Sequence, residues 1–242
     1  MCGFVAFCCL ASVIYIINDI CDAPRDRLHP TKKSRPIASG AVSPMQAAAE
    51  AAVLLAVMLL LSFWCNFPLE SYLCLAIYFA VNIGYSLGLK NVPILDIALL
   101  VSGFLLRVLF GAAVTGIAIS DWLYLTVIAM SFYLGLGKRR GELARQKGDT
   151  RKVLKYYTYD YLDKYMQISL GLSITFYALW SMGAANGMVW TVPLVICLCM
   201  KYSLTVEGDS DGDPVEVICR DKILLVLAAA FAALVLSILY LF

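Results

Sequence analysis

The chain has 242 residues, of which 62% are hydrophobic and 15% are charged, and its formal net charge is +2. A soluble domain of this length carries a larger charged fraction, so the composition excludes a soluble globular protein and indicates an integral membrane protein. The net charge is too small to point to a polyanion, and we expect no nucleic-acid partner.

Eight apolar segments have lengths near those needed to cross a bilayer as helices. They lie at about 1–19, 46–65, 71–88, 94–115, 121–137, 161–183, 187–203 and 222–241. The first segment has neither a basic leader nor a small-residue cleavage site, so we interpret it as a membrane helix rather than a signal peptide. We predict an all-α polytopic membrane protein with one transmembrane domain over residues 1–242.

Lysine and arginine are distributed asymmetrically along the chain. All but two of the 19 lie in or beside the connections 24–44, 89–93, 138–160 and 204–221, and the opposite connections contain none. Because basic connections remain in the cytoplasm, we predict a protein of the cell membrane whose loops at about 20–45 and 138–160 face inward. The two exceptions are Arg107, inside the fourth segment, and Lys164, one turn into the sixth.

The nine cysteines lie mostly within apolar segments and form no CxxC pair. We interpret them as packing residues rather than as ligands of a zinc site. His29 is the one histidine of the chain, and we predict no catalytic role for it because no second ligand accompanies it.

Acidic residues follow the first apolar segment in the stretch "NDICDAPRD". Spacings of three and four place Asp19, Asp22 and Asp26 on one face if the helix continues beyond the membrane. Three like charges on one face are costly unless a cation lies there, and their hard oxygen atoms suit Mg²⁺, which is commonly shared with substrate phosphates. We predict these three aspartates as metal ligands and catalytic residues. The alternative is a solvated acidic helix end, which the helix dipole disfavours.

A basic loop, "RLHPTKKSRPIASG", comes next. Pro30 and Pro36 stiffen it, and an arginine fork fits phosphate oxygens, so we predict anion binding at Lys32 and Arg35. For Lys33 the bias of basic residues toward the cytoplasm is a sufficient explanation.

The acidic stretch and the basic loop together resemble the first signature of the UbiA superfamily of intramembrane prenyltransferases. The shared pattern reads Asn18-Asp19-x2-Asp22-x3-Asp26 and then Pro30-x-Lys32-x2-Arg35-Pro36-x3-Gly40. The resemblance implies a nine-helix bundle around a central cavity, with Mg²⁺ and a diphosphate at its cytoplasmic mouth and Asn18 among the substrate contacts. The signature here follows the first apolar segment rather than the second. We therefore expect about eight helices and no counterpart of the first helix of the family.

The loop after the fifth segment is basic, whereas aromatic prenyltransferases of the superfamily carry a second aspartate-rich motif there. Its "GKRRGEL" and "YTYDYLDKY" runs, and the later "DPVEVICRDK", resemble the decaprenyl-phosphate phosphoribosyltransferase branch. This resemblance implies substrate contacts at Lys138, Arg139, Arg140, Glu142 and Tyr161. Two alternatives remain open: Asp160 and Asp163 as a displaced acidic motif, and Glu216, Arg220 and Asp221 as further contacts.

Three more positions are candidates for substrate binding. The run "YSLGLKNVPILD" resembles a family element, which implies donor contacts at Tyr85 and Lys90, although Lys90 also suits a membrane anchor. A charge inside a membrane helix costs several kcal/mol unless it is paired or faces a wet cavity. We predict that Arg107 reaches a substrate phosphate or an aspartate of the acidic stretch, with an ion pair to Asp96 as the alternative.

The resemblance implies Mg²⁺-dependent transfer of 5-phosphoribose from phosphoribosyl diphosphate to a polyprenyl phosphate. A lipid phosphate is already ionised at neutral pH, so the reaction needs no general base. The alternatives are an aromatic prenyltransferase with a prenyl diphosphate donor, a truncated inactive relative and a transporter, although transporters carry charges near the midplane. We expect membrane lipids around the chain and leave a homo-oligomer open.

Overall fold

The computed structural model describes residues 1–28, 32–144, 152–185, 187–208 and 214–241. Across these ranges the secondary structure is helical, which confirms the predicted all-α class. The α-helices are α1 (Cys2–Asp26), α2 (Pro44–Trp64), α3 (Leu69–Leu87), α4 (Leu95–Thr115), α5 (Asp121–Ala144), α6 (Tyr159–Ala184), α7 (Val192–Glu207), α8 (Pro214–Arg220) and α9 (Lys222–Leu241). Eight correspond to the predicted apolar segments, and the short α8 is an addition.

Several helices are long and apolar enough to cross a membrane. Within the described ranges there are five of them: Cys2–Asp26, Pro44–Trp64, Leu95–Thr115, Met188–Glu207 and Lys222–Tyr240. The chain divides into two compact helical units, 1–118 and 119–242. The single membrane domain over residues 1–242 stays a prediction.

The N-terminal unit contains α1 to α4, and α1 packs against the other three helices. Phe7 on α1 lies 4.6 Å from the ring of Tyr78 and 5.2 Å from the ring of Phe110, measured between centroids. A Cβ atom on Gly3 would lie 3.0 Å from Val114 Cγ1, so α1 and α4 approach closely where a side chain is missing. Small residues permit such approaches between membrane helices, which are stabilised by packing rather than by exclusion of water.

The polar end of α1 is held in place by the loop that follows it. The helix continues past the predicted membrane boundary to Asp26, and Arg27 Nε donates a hydrogen bond to Ala38 O at 3.2 Å. Helix α2 then begins with a capping box, in which Ser43 and Gln46 each accept a hydrogen bond from the other's backbone N–H. Capping satisfies backbone donors that a helix start leaves unpaired. The loop is thereby folded back beside the acidic turns of α1.

The C-terminal unit contains α5 to α9, and α5 and α6 form its most extensive helix pair. Tyr133 on α5 is buried, and its Oη donates to Cys199 O on α7 at 2.9 Å and lies 2.7 Å from Ser203 Oγ. A buried hydroxyl is costly unless it is hydrogen-bonded, so this contact fixes the position of α5 against α7.

Asp221 connects α7 to α9. Its Oδ1 accepts hydrogen bonds from the backbone N–H groups of Ile223 at 3.0 Å and Leu224 at 3.1 Å. Its Oδ2 lies 2.6 Å from Lys201 Nζ and accepts a hydrogen bond from Thr205 Oγ1 at 2.8 Å. The Lys201 ammonium and the other donors hold the pKa of the Asp221 carboxyl well below its ordinary value of 3.8. All of these contacts favour the charged carboxylate.

We expect Asp221→Asn to lower the Tm of the protein in detergent at pH 7. Because the folded-state pKa of Asp221 is depressed, its contribution to stability is complete above the unfolded value and is lost as the pH falls through the folded value. The Tm difference from the wild type should therefore shrink below about pH 4. Thermal unfolding at pH 7 and pH 3.5 measures this, with the exposed Glu50→Gln as control. A Tm difference that is the same at both pH values would contradict the prediction.

Candidate active site

The predicted acidic face of α1 exists, and one arginine joins two of its carboxylates. Arg35 Nη1 lies 2.9 Å from Asp19 Oδ1 and 2.8 Å from Asp26 Oδ2. The Asp26 residue is only 4% exposed, whereas the Arg35 side chain is 38% exposed. Two carboxylates that are two helical turns apart therefore converge on one nitrogen of the Arg35 guanidinium. Solvent and ligands can reach this guanidinium.

The third carboxylate of the face binds a different cation. Lys90 Nζ donates to Asp22 Oδ1 at 3.0 Å and to Asp22 Oδ2 at 3.2 Å. Lys90 lies beside α1 because α3 ends at Leu87 and the chain turns at Gly88, whose φ of 139° lies in a region that only glycine adopts readily. One turn earlier, Ser86 Oγ donates to Asn18 Oδ1 at 3.2 Å. The structure thus brings Asn18, Asp22 and Lys90 together where α1 and α3 meet.

The carboxylates of α1 can be compared with what a divalent cation requires. No group of three or more His, Cys, Asp or Glu residues in the described part of the chain has an arrangement that could hold a metal ion. However, Mg²⁺ is usually bound by one or two carboxylates together with substrate phosphates and water. Asp19 and Asp26, whose oxygens already share the Arg35 cation, fit that requirement, and Asp22 lies between them on the same helix. The metal and catalytic roles of Asp19, Asp22 and Asp26 stay predictions.

The basic loop presents its cations beside this face. Lys32 begins a short 3₁₀-helix, Lys32–Ser34, and is exposed. The turn that follows is closed by hydrogen bonds from Ser39 N to Arg35 O at 2.8 Å and from Val42 N to Pro36 O at 3.0 Å. His29 and Pro30 lie outside the described residues. The loop therefore holds Arg35 against the aspartates and leaves the Lys32 side chain accessible.

Tyr85 and Arg107 line one cavity in the N-terminal unit. Arg107 Nη2 donates to Tyr78 Oη at 2.8 Å, so among the described residues its hydrogen-bond partner is a phenol rather than an aspartate of α1 or Asp96. A contact of Arg107 with a substrate phosphate stays a prediction. Sequence reasoning identified Arg107 from its charge but missed Tyr78. Tyrosine is common in membrane helices, and no local pattern distinguishes this one.

The basic run in the C-terminal unit is largely buried and paired with acids. Arg139 has no exposed surface, and its Nη1 lies 2.6 Å from Glu142 Oε2. Arg140 is 5% exposed and lies 3.2 Å from Asp163 Oδ1 through Nε and 3.3 Å from Glu207 Oε1 through Nη2. Burial of such charges requires pairing. The run therefore joins α5 to α6 and α7, and Glu207 is a partner that the sequence did not indicate.

The remaining predicted positions lie near this cluster or at the end of the chain. Lys138 is half-buried and has a partner, and the guanidinium of Arg140 lies 4.4 Å from the ring centroid of Tyr159. The Tyr161 ring stacks on Tyr157 with centroids 6.0 Å apart, and the Tyr165 ring is tilted against it with centroids 4.6 Å apart. Asp163 pairs with Arg140, and Glu216 forms a 2.9 Å ion pair with Arg220. Substrate contacts at Lys138, Arg139, Arg140, Glu142 and Tyr161 stay predictions.

The sequence of the chain is similar to a known protein family and to named enzymes. A sequence model of the UbiA prenyltransferase family matches residues 1–213. The decaprenyl-phosphate phosphoribosyltransferase of Mycolicibacterium smegmatis is 34% identical, with 98% of this chain and 79% of the relative aligned. The enzyme of the same name from Corynebacterium glutamicum is 35% identical, with 98% and 75% aligned.

The fold also has solved counterparts. The structure of a UbiA homologue from Archaeoglobus fulgidus bound to DMAPP and Mg²⁺ superposes with a TM-score of 0.75 at 17% identity, covering 96% of this chain and 84% of the homologue. The same homologue bound to GPP and Mg²⁺ gives the same values. Together with the apolar helices and the family match, these similarities identify the chain as a multi-pass membrane transferase of the UbiA prenyltransferase family.

Proposed function

We propose that this protein transfers 5-phosphoribose from phosphoribosyl diphosphate to a polyprenyl phosphate, at the cytoplasmic face of the cell membrane and with Mg²⁺. The observation that carries the proposal is similarity over 96–98% of the chain to relatives named decaprenyl-phosphate phosphoribosyltransferase, at 34–35% identity. Placement at the cytoplasmic face rests on the positions of the basic connections.

The charges of the N-terminal unit support a site for a diphosphate. Asp19 and Asp26 would hold Mg²⁺, which when bound neutralises and orients a diphosphate leaving group. Arg35 and Lys90 lie within 3.2 Å of the aspartate oxygens, so cationic nitrogens and anionic oxygens alternate over a few ångströms. A ligand that combines a divalent cation with phosphate groups matches this alternation, because the phosphates bind the nitrogens while the cation binds the carboxylates.

No residue needs to act as a general base in this reaction. The phosphate of the lipid is ionised at neutral pH and is itself the nucleophile. The energetic barrier lies in the departure of diphosphate from the anomeric carbon of ribose. Arg35 and Lys90 stabilise negative charge that grows on the diphosphate, and the rigid loop and helix ends that carry them keep the donor oriented.

The donor can be tested directly in membranes that contain the full chain. Labelled phosphoribosyl diphosphate and labelled dimethylallyl and geranyl diphosphates are supplied separately, with farnesyl phosphate as acceptor in each case. We expect label from phosphoribosyl diphosphate alone to enter the lipid phase, and we expect chelation of Mg²⁺ to abolish this transfer. Membranes without the protein give the background.

Other outcomes of the same assay distinguish the alternatives. In a parallel assay with an aromatic acceptor in place of farnesyl phosphate, transfer of label only from a prenyl diphosphate would replace the proposal by an aromatic prenyltransferase. No transfer of label from any donor would instead favour a transporter, whose transport activity should persist without Mg²⁺ and in Asp19→Ala and Asp22→Ala variants.

A further inference from the structure

Helices α1, α3 and α4 line an open cavity of about 170 Å³ within the N-terminal unit. Its apolar lining includes Ile14, Leu99 and Leu100. Its polar lining comes from all three helices, namely Tyr15, Tyr78, Asn82, Tyr85 and Arg107. The cavity is therefore amphipathic, and its strongest charge is the guanidinium of Arg107.

Arg107 is held in place by aromatic side chains rather than by an acid. Its Cζ lies 5.8, 5.3 and 5.6 Å from the ring centroids of Phe7, Tyr78 and Phe104, within the range of cation–π attraction. One hydrogen bond, to Tyr78 Oη, engages its N–H donors among the described residues, and a guanidinium has five such donors. Charges within membrane helices normally pair with an acid or mark a substrate path. Arg107 thus retains the capacity to bind an anion.

The cavity adjoins the acidic face of α1 on the membrane side. Tyr15 lies four residues before Asp19 on α1, which is about 6 Å along the helix. On α3, Tyr85 immediately precedes Ser86, whose hydroxyl contacts Asn18. The polar lining that α1 and α3 contribute to the cavity therefore begins within one helical turn of Asp19 and Asn18.

We propose that this cavity binds the phosphate group of the lipid acceptor, with Arg107 as its anion-binding residue. The inference rests on the proposed function and deepens it by assigning the acceptor subsite. The cavity has room for several waters. A phosphate can lie beside Arg107 there, with the first carbons of an isoprenoid chain against Leu99 and Leu100.

The reaction then joins groups held in the two subsites. An oxygen of the lipid phosphate, bound at Arg107, forms the new bond to the anomeric carbon. The bond from that carbon to the diphosphate oxygen breaks, and the diphosphate departs with the electron pair toward Arg35 and Lys90. Nothing is oxidised or reduced, and no proton has to move.

Binding experiments on the purified full chain in nanodiscs test this assignment. The probes are farnesyl phosphate, farnesol, inorganic phosphate, and phosphoribosyl diphosphate with Mg²⁺. We expect Arg107→Gln to raise the Kd of farnesyl phosphate at least about 10-fold, because a charge-assisted hydrogen bond is lost. The Kd values of farnesol and phosphoribosyl diphosphate should change less than about 2-fold. Arg107→Lys should restore part of the affinity for farnesyl phosphate.

A second variant keeps the inference testable if Arg107→Gln does not fold. Leu100→Phe fills space at the apolar lining of the cavity without changing charge. It should weaken the binding of farnesyl phosphate and leave the binding of phosphoribosyl diphosphate unchanged.

An Arg107→Gln variant that no longer binds phosphoribosyl diphosphate but still binds farnesyl phosphate would overturn the assignment. An equal loss of affinity for farnesol would also overturn it. Inorganic phosphate that binds as tightly as farnesyl phosphate would also overturn it, since the lipid would then contribute nothing. A wild-type protein that binds farnesyl phosphate through Arg107 but transfers no phosphoribose would refute the proposed function alone.

Discussion

Replacing Asp26 by asparagine is expected to lower phosphoribosyl transfer by about 100-fold or more, a loss typical of removing one preorganised electrostatic contact in an active site. Asp26 is 4% exposed and shares Arg35 Nη1 with Asp19, so the substitution removes one of two anionic oxygens that converge on a single point. The amide keeps the size of the side chain. The loss should therefore reflect charge rather than packing.

The dependence of the rate on Mg²⁺ concentration distinguishes this explanation from a general loss of fold. We expect the Asp26→Asn variant to need a higher Mg²⁺ concentration for half-maximal activity, because two carboxylates bind a divalent cation better than one. Glu70→Gln is the matched control, since Glu70 is an exposed carboxylate in the first turn of α3 within the same unit. An unchanged Mg²⁺ requirement in the Asp26→Asn variant would show that this carboxylate takes no part in metal binding.

Glu142→Gln is expected to destabilise the protein by about 3 kcal/mol, within the range measured when one partner of a buried ion pair is removed. Arg139 has no exposed surface, and its Nη1 lies 2.6 Å from Glu142 Oε2. The variant removes that carboxylate charge but leaves the guanidinium buried. Denaturant unfolding in one detergent, compared with the wild type, measures the difference in the free energy of unfolding.

Two further variants show whether the buried charge causes the loss. The double variant Arg139→Met with Glu142→Gln should recover at least half of the stability, because it removes the guanidinium as well. Glu216→Gln should cost less than about 1 kcal/mol, since its partner Arg220 has a side chain that is 70% exposed and solvent screens the pair. Equal losses in Glu142→Gln and Glu216→Gln would mean that burial does not set the strength of these ion pairs.

The parts of the fold that depend on the hydropathy of neighbouring residues were predictable from the sequence. Each long apolar segment became a helix, because a backbone in lipid must satisfy its own hydrogen bonds. Helix α8 was missed because its seven residues, Pro214–Arg220, lie in a polar connection and are too few for a periodic pattern. The spacing of Asp19 and Asp26 likewise predicted a shared face, which Arg35 confirms by contacting both.

The partners of the charged residues were less predictable. Lys90 and Arg140 were identified as candidate substrate contacts, and their protein partners were not foreseen. Lys90 contacts Asp22 across 68 residues of sequence, and Arg140 contacts Glu207 across 67. Such pairs depend on which helices pack together, and no local spacing encodes them. The sequence therefore indicated that the "GKRRGEL" run is a cationic stretch. In the structure both of its arginines are buried and paired with acidic residues.

By itself, the sequence determined that this is a polytopic helical membrane protein with a carboxylate face at the end of its first helix, because hydropathy and helical periodicity act over neighbouring residues. The tertiary structure alone decided that Arg35 bridges Asp19 and Asp26, that Lys90 binds Asp22, and that Arg107 lies in an aromatic cavity beside Tyr78. These contacts join residues from different helices, and only packing brings such residues within hydrogen-bonding distance.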